Sequence, residues 1–391
     1  MARAKRLSQQ PPAATTPETG DAAALETGGT LTIDLAAIEA NWRTLARQLP
    51  AVECAAVVKA NGYGLGLEQV TTTLARANCK TFFVADVAEA RSVRSRAAEA
   101  TIYVLNGYTP GLGGAFMEIN ARPVINSMTE LAEWDAFVAA NDWRGGAALH
   151  VDTGMHRLGI SVEEAAALAP RAQTENHGIA LLMSHLACAE IPDHPLTASQ
   201  IRDFREIHML YSGIPASLAN SSGIFLGNSA HFDMARPGAA LYGVNPTPGR
   251  ANPMAGVVEL TGRILQIRSV ARDETVGYGA TWTAARPSRI AVVALGYADG
   301  LLRSGSGTDG KPGGQALIAA TRCPIVGRIS MDLTCIDITE LPDGVIAHRG
   351  DLATLIGTEI TVDDVAASAG TIGYEVLTRL GPRCRLVYRD D

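Results

Sequence analysis

The chain has 391 residues, a formal net charge of -7 and 47% hydrophobic residues. This length exceeds what one hydrophobic core usually serves, so we expect a barrel-sized domain of about 250 residues and a smaller second domain. The acidic balance argues against a nucleic-acid surface, because the basic residues cluster only in the short stretch ARAKR at residues 2–6. We therefore expect small molecules or a second copy of the chain as partners.

The first 29 residues are rich in Ala, Thr, Pro, Gly and Glu and contain no apolar run like the core of a signal peptide. No later run of eighteen apolar residues predicts a membrane span. The six cysteines show no CxxC pairing, which indicates reduced thiols. We expect a disordered tail at residues 1–29 and a cytoplasmic protein.

The first predicted elements are a short strand at 31–34 and a helix that Asp34 caps. A strand at 54–58 then leads to Lys59 and a loop of residues that break regular structure, in the sequence VVKANGYGLG. Burial would lower the lysine pKa from about 10.4, and the neutral amine could form a Schiff base with a carbonyl or an aldehyde cofactor. A surface loop with a solvent-exposed lysine fits these ten residues equally well.

Seven further apolar runs alternate with helical patterns, at residues 82–85, 102–105, 123–126, 147–151, 179–185, 216–220 and 232–234. Capping boxes formed by Ser127 with Glu130 and by Ser161 with Glu164 mark two helix starts. Eight strand–helix repeats predict an N-terminal (β/α)8 TIM-like barrel over residues 30–252, with a doubly wound open sheet as the alternative. Strands with turn signals predict a β-rich C-terminal domain over residues 253–391.

The predicted barrel strands end in an unusual set of polar residues. Because the carboxyl ends of barrel strands converge on one mouth, these side chains would meet there. Each one alone has a structural explanation, such as a hydrogen-bonded core histidine or a serine that caps a helix. Together they predict a functional site formed by Lys59, Arg157, His185, Asn220, Ser221 and Arg236.

Two other patterns carry less weight. The stretch GSGTDGK at residues 305–311 has the spacing of a nucleotide phosphate loop, but Pro312 replaces the required Ser or Thr and no helix follows. Pairs such as His185 with Cys188 have no matching second pair, so we predict no metal site.

Nine motifs resemble, in order and spacing, those of the pyridoxal-phosphate-dependent alanine racemases. They span the chain from about residue 31 to its end and read VVKANGYGLG, VDTGMHRLG, SHLA, ANSSG, ARPGAALYG, VGYGATW, GYADG, GRISMD and TIGYE. The resemblance implies that pyridoxal 5'-phosphate (PLP) binds at the barrel mouth and that the enzyme interconverts L- and D-alanine for peptidoglycan. It also implies a homodimer in which the β-domain of one subunit completes the site of the other.

Residue roles follow from the same resemblance. Lys59 would hold PLP and act as one acid/base, and Tyr278 from a second subunit would be the other. Arg157 and Met331 would contact the substrate carboxylate, and His185 would bridge Arg236 and Tyr278. The remaining implied contacts are Tyr63, Asn220, Ser221, Arg236, Gly238, Ala239 and Tyr374 for the cofactor, and Tyr297, Arg303, Arg328 and Ile372 for the substrate entrance.

The chemistry of racemisation supports these roles independently of the family resemblance. Racemisation removes the α-proton from one face and returns one on the other, so two acid/base groups must flank a planar carbanion. Arg236 at the pyridine nitrogen would keep its own proton, which leaves that nitrogen unprotonated and limits side reactions.

The sequence departs from the family at two places. His150 stands where many members carry a lysine that becomes carbamylated, so a neutral imidazole or a bound anion would orient Arg157. After GYADG the chain has Leu301, Leu302 and Arg303 in place of Tyr-Pro-Arg, which affects the entrance. The alternatives are a broad-specificity racemase, a decarboxylase on the same barrel and a non-catalytic PLP-binding protein.

Overall fold

The computed structural model describes residues 26–172, 174, 178–381 and 383–390. Most of the predicted tail, residues 1–25, lies outside these ranges. The strands of the structure are β1 Gly29–Asp34, β2 Glu53–Cys54, β3 Ala56–Val57, β4 Thr81–Val84, β5 Thr101–Val104, β6 Arg122–Ile125, β7 Ala147–His150, β8 Ile179–Met183, β9 Ala216–Ser217, β10 Met234–Ala235, β11 Val258–Val270, β12 Thr275–Val276, β13 Trp282–Thr283, β14 Ser288–Val293, β15 Gln315–Ile318, β16 Thr321–Pro324, β17 Thr334–Asp337, β18 Leu352–Ile356 and β19 Arg385–Arg389. Its helices are α1 Leu35–Arg47, α2 Leu67–Arg76, α3 Val87–Arg96, α4 Gly113–Ile119, α5 Met128–Asn141, α6 Val162–Ala172, α7 Pro195–Leu210, α8 Val362–Ala369 and α9 Gly373–Arg379.

The parallel sheet closes because its first strand is split in two at Ala55. The first half, β2, pairs with β10, and the second half, β3, pairs with β4. The N–H groups of Ala55 and Val57 continue the seam by donating to the carbonyls of Ala235 (3.0 Å) and Pro237 (2.9 Å). The predicted (β/α)8 barrel is confirmed, and the open doubly wound sheet is wrong for this chain.

Local sequence explains why these elements form where they do. Residues of β4 are buried throughout, as expected for a parallel strand covered on both faces. The Asp34 carboxylate caps α1 by accepting from the Ala37 N–H at 2.7 Å, as predicted. Ser127 caps α5, but the Glu130 carboxylate accepts from the N–H groups of Asn126 and Tyr108 instead of closing a capping box.

The C-terminal sheet takes in the first strand of the chain. Strand β1 pairs antiparallel with β11 and parallel with β19, in the order β16-β15-β18-β11-β1-β19. The sequence predicted a strand here and counted it with the barrel, since alternating buried residues such as Leu31 and Ile33 do not reveal which sheet receives them. Across the described ranges, no helix has the length and apolar character needed to cross a bilayer.

Candidate active site

The carboxyl ends of the barrel strands surround a cavity of about 750 Å³. Helix α9 of the C-terminal domain covers one side, because Tyr374, Glu375 and Thr378 face the same space. The predicted site residues that line this cavity are Lys59, Tyr63, Arg157, His185, Asn220, Ser221, Arg236, Gly238, Ala239, Ile372 and Tyr374.

Lys59 begins a short helical turn, Lys59–Tyr63, in which the four residues after Lys59 have a left-handed backbone. The left-handed α conformation costs an L-residue with a Cβ about 1–2 kcal/mol, so surrounding contacts must hold this turn. One such contact is tight, since a Cβ on Gly64 would lie 2.6 Å from the Leu377 carbonyl oxygen of α9. The φ angles are 55°, 55°, 62° and 56° at Ala60, Asn61, Gly62 and Tyr63.

Glu89 at the start of α3 fixes this turn from the neighbouring strand end. Its carboxylate accepts from the N–H groups of Asn61 at 3.0 Å and Ala85 at 2.9 Å. Burial lowers the pKa of Lys59, the charge of Arg157 lowers it further, and Glu89 partly opposes both. The lowered lysine pKa predicted from sequence is confirmed, and it favours a neutral amine that can act as a nucleophile or base.

Tyr63, Ser221 and Gly238 line one corner of the cavity that Lys59 also lines. The Ser221 hydroxyl oxygen accepts from the N–H groups of Gly238 at 3.0 Å and Ala240 at 3.2 Å, so its own hydrogen can be donated into the cavity. The resemblance implies Gly238 and Ala239 as cofactor contacts, and in this structure the Gly238 N–H donates to Ser221. A Cβ on Gly238 would lie 2.2 Å from the Tyr63 hydroxyl, which explains the glycine.

Two tyrosine rings complete this corner. The Tyr63 ring is stacked on Tyr242 with centroids 4.5 Å apart, and it lies 6.2 Å from the Tyr374 ring. Burial raises the pKa of both Tyr63 and Tyr374, so each keeps a hydroxyl hydrogen to donate. Hydroxyl donors that line one part of a cavity suit a phosphate group.

Arg236 is a buried cation below the cavity. Its Nη2 donates to the Ser184 carbonyl at 2.6 Å, Nη1 donates to the Ser217 hydroxyl, and the guanidinium lies 5.7 Å from the Phe83 ring centroid. Burial lowers its pKa to about 9, so it stays charged at neutral pH. Burial and then the Arg236 charge lower the pKa of His185 to about 3, which keeps that imidazole neutral.

His150 has a fixed tautomer. Its Nδ1 lies 2.8 Å from Oδ1 of Asn126, whose amide nitrogen donates to the Val124 carbonyl at 2.7 Å and to the Leu105 carbonyl at 3.4 Å. Because carbonyls only accept, the Asn126 oxygen must face His150, and Nδ1 must carry the hydrogen. Burial and the Arg236 charge lower the His150 pKa to about 4, so Nε2 has a free lone pair.

Arg157 lies on a loop that closes on itself above the cavity. Oδ1 of Asp152 accepts from the N–H groups of Gly154 (2.9 Å), Met155 (2.9 Å) and His156 (3.1 Å). Partial burial raises the Asp152 pKa, but these three hydrogen bonds outweigh it and the pKa is lowered. The loop therefore holds Arg157 near His150 without a direct carboxylate partner for the guanidinium among the ion pairs of the described residues.

Five predicted residues do not line the cavity: Tyr278, Met331, Tyr297, Arg303 and Arg328. We call them the outer cluster. Arg328 and Met331 belong to the segment 327–331, whose Ser330 carbonyl accepts from the Tyr297 N–H at 3.0 Å and whose Ile329 N–H donates to the Ser306 hydroxyl oxygen at 2.9 Å. A Cβ placed on Gly279, next to Tyr278, would lie 3.2 Å from Nη1 of Arg328. Tyr278 is 71% exposed and Met331 is 52% exposed. The predicted His185 bridge to Tyr278 stays a prediction.

Sequence reasoning missed several supporting residues. Glu89 and Glu130 occupy the third position of their helices, which is typical of simple capping, yet both reach backward to loop amides of the barrel mouth. Gln200 in α7 donates to the His185 carbonyl at 2.9 Å and accepts from the Ala187 N–H at 2.9 Å. Among these supporting residues, only Asn126 could have been predicted, because it is the last residue of a predicted barrel strand.

Comparisons with known proteins agree with this geometry. The family model described as "Alanine racemase, N-terminal domain" matches residues 33–246, and "Alanine racemase, C-terminal domain" matches residues 257–388. An alanine racemase from Methylobacterium sp. (strain 4-46) is 50% identical over 363 residues, covering 93% of this chain and 98% of that protein. A catabolic alanine racemase from Agrobacterium fabrum is 45% identical over 362 residues, covering 92% of each chain.

A solved structure is similar over nearly the same range. Alanine racemase from Bartonella henselae, which has covalently bound pyridoxal phosphate, superposes with a TM-score of 0.86 at 36% identity and covers 93% of this chain and 99% of that one. Because both family domains and whole-length relatives match, and the barrel with its β-domain is the fold that the resemblance implied, the chain belongs to the alanine racemase family.

Proposed function

We propose that this chain interconverts L-alanine and D-alanine with PLP bound at the barrel mouth. The observation that carries the proposal is the meeting of Lys59, an amine with a lowered pKa, with the Ser221–Gly238 corner in one cavity. The similar Bartonella henselae protein has covalently bound pyridoxal phosphate. We infer that Lys59 forms the corresponding bond here.

The residues of the cavity fit this cofactor. The hydroxyls of Tyr63, Tyr374 and Ser221 offer donors for its phosphate in one part of the cavity, and the Gly238 N–H orients the Ser221 hydroxyl. Arg236 is buried and charged, and a guanidinium that keeps its proton would leave the ring nitrogen unprotonated. When bound, the cofactor withdraws electrons from the substrate α-carbon, which makes the α-proton acidic.

Two groups must exchange that proton on opposite faces, and we assign them to Lys59 and Tyr278. Lys59 opens to the cavity of its own chain, whereas Tyr278 is exposed on the outer cluster. We propose a homodimer in which the outer cluster of one subunit covers the barrel mouth of the other. Met331 and Arg157 would then hold the substrate carboxylate from two subunits.

The proposed entrance would likewise combine both subunits. Ile372 borders the cavity of its own chain, and Tyr297, Arg303 and Arg328 belong to the outer cluster. The free cysteines, three of which are buried, fit a reducing compartment, and we propose a cytoplasmic location. Supply of D-alanine for peptidoglycan stays a prediction, which a D-alanine requirement for growth of a deletion strain would test.

The cofactor assignment is tested with Lys59→Ala and the exposed-lysine control Lys80→Ala. Lys59→Ala should lose the absorbance of protein-bound PLP and the label that borohydride fixes on the protein. Lys80→Ala should keep both. Unchanged PLP absorbance and activity in Lys59→Ala would overturn the assignment.

The two-base assignment is tested with Tyr278→Phe in deuterated water. Loss of one acid/base should slow racemisation by about 10²–10⁴-fold. The enantiomer whose α-proton faces Lys59 should still exchange that proton for deuterium without racemising, and the other enantiomer should not. Equal loss of exchange from both enantiomers would count against two separate bases, and a panel of amino acids would separate alanine specificity from broad specificity.

A further inference from the structure

The segment 305–311, which has the spacing of a phosphate loop, binds another part of the same domain. Its glycines allow close backbone approach, since a Cβ on Gly307 would lie 2.2 Å from the Ile325 carbonyl oxygen. Thr308 and Lys311 form a bridge, and the Lys311 ammonium donates to the Ser304 carbonyl at 2.7 Å. The segment is therefore a tightly folded turn that presents Asp309 outward.

Asp309 binds the hairpin that carries Tyr278. Its N–H donates to the Thr281 carbonyl at 2.9 Å, and its two carboxylate oxygens accept from the Thr283 N–H at 2.7 Å and the Thr283 hydroxyl at 2.9 Å. Asp309 thus binds the Thr281 carbonyl and the Thr283 N–H at the edge of the hairpin, much as a third strand would.

The hairpin needs such support. Strands β12 and β13 form a separate two-stranded sheet, and an isolated two-stranded hairpin is at best marginally stable. The turn between them contains left-handed residues, with φ of 80° at Gly277, 75° at Gly279 and 46° at Ala280, and the last of these has a Cβ. One flank packs through Val276 in a small apolar cluster with Ile290 and Val326. Trp282 of β13 packs against the same cluster, and Asp309 binds the neighbouring residue Thr283.

We propose that Asp309 is a positioning residue for Tyr278, acting through Thr281 and Thr283. The proposal rests on the proposed role of Tyr278 as one of two bases. A loosened hairpin would move the phenol hydroxyl away from the α-carbon while leaving the Lys59 side of the site unchanged. Misplacement of an acid/base by about 1 Å can cost up to about a hundredfold in rate.

The test compares Asp309→Ala, Asp309→Asn, Tyr278→Phe and the matched control Lys311→Met, which alters the same turn away from the hairpin. Asp309→Ala should lower kcat for racemisation by about ten- to a hundredfold. Deuterium exchange of the enantiomer whose α-proton faces Lys59 should stay at the wild-type rate. Asparagine can still accept from the Thr283 N–H and donate to its hydroxyl, so Asp309→Asn should recover most of the rate.

Amide hydrogen exchange provides a second readout that does not depend on activity. Residues 275–283 should exchange faster in Asp309→Ala than in the wild type or Lys311→Met. Equal loss of racemisation and of Lys59-side exchange in Asp309→Ala, or no rescue by asparagine, would show a merely structural role and overturn the proposal. If Tyr278→Phe racemises alanine at the wild-type rate, the proposed two-base function is wrong. If Tyr278→Phe is slow but Asp309→Ala racemises at the wild-type rate, only the positioning role of Asp309 is rejected.

Discussion

The Nδ1 atom of His150 lies 2.8 Å from Oδ1 of Asn126, and the Asn126 amide is turned by its own hydrogen bond to the Val124 carbonyl at 2.7 Å. We predict that ¹⁵N NMR of histidine-labelled protein at neutral pH shows His150 with a protonated Nδ1 and an unprotonated Nε2. The free Nε2 lone pair would then be available to Arg157, which lines the same cavity. A protonated Nε2 would contradict this prediction.

The variant Asn126→Asp tests the hydrogen bond between Asn126 and His150 by changing the Asn126 side chain. A carboxylate next to Nδ1 favours the imidazolium, so the His150 pKa should rise above its lowered wild-type value. A cationic His150 would no longer accept a hydrogen bond from Arg157, and the rate should fall as the pH is lowered. His348→Gln changes an exposed histidine of the β-domain and serves as the control.

Buried neutral histidines should make the protein acid-sensitive. His185 has a folded-state pKa of about 3, against about 6.5 unfolded, so the unfolded chain binds an extra proton between these values. The free energy of unfolding is therefore at its full value above about pH 6.5 and should fall by about 1.4 kcal/mol per pH unit below it for this one group.

The measurement is denaturant unfolding from pH 7 to pH 4 in the wild type, His185→Gln and His348→Gln. The His185→Gln variant should show a shallower loss of stability with falling pH, even if its stability at pH 7 is lower. His150, with a pKa of about 4, adds to the wild-type slope in the same direction. A slope that His185→Gln leaves unchanged would show that His185 is protonated in the folded state.

Ser221→Ala should weaken binding of PLP to the apoenzyme. The substitution removes a hydroxyl that accepts from two amides and can donate to the phosphate. Hydrogen bonds to charged groups contribute about 1.5–3 kcal/mol, so Kd should rise about ten- to a hundredfold. Titration of PLP by absorbance measures Kd, Ser222→Ala is the neighbouring control, and equal Kd values would remove Ser221 from the phosphate site.

Mixing Lys59→Ala with Tyr278→Phe subunits tests whether the sites are shared. About half of randomly mixed dimers would be heterodimers with one intact site of two, so activity should recover to about a quarter of wild type. Each variant alone should stay inactive. No recovery, despite subunit exchange shown by mass spectrometry, would indicate that each subunit has a self-contained site.

The sequence determined the barrel because buried apolar runs alternated with capped amphipathic helices, and each of the eight runs overlaps a strand of the closed sheet. It also placed Lys59, His185, Ser221 and Arg236 around one mouth, since the ends of parallel strands must meet there. Periodicity and strand polarity are local properties, and local properties can be read from the chain.

Other features depended on contacts between distant residues. Only the tertiary structure assigned β1 to the C-terminal sheet, because its alternation of buried residues fits either domain. The left-handed turn after Lys59 is stabilised by Glu89 and α9, which no local signal connects with it. The link from Asp309 to the Tyr278 hairpin joins Asp309 to Thr283, 26 positions apart, where hydrogen bonds and not sequence patterns decide the partner.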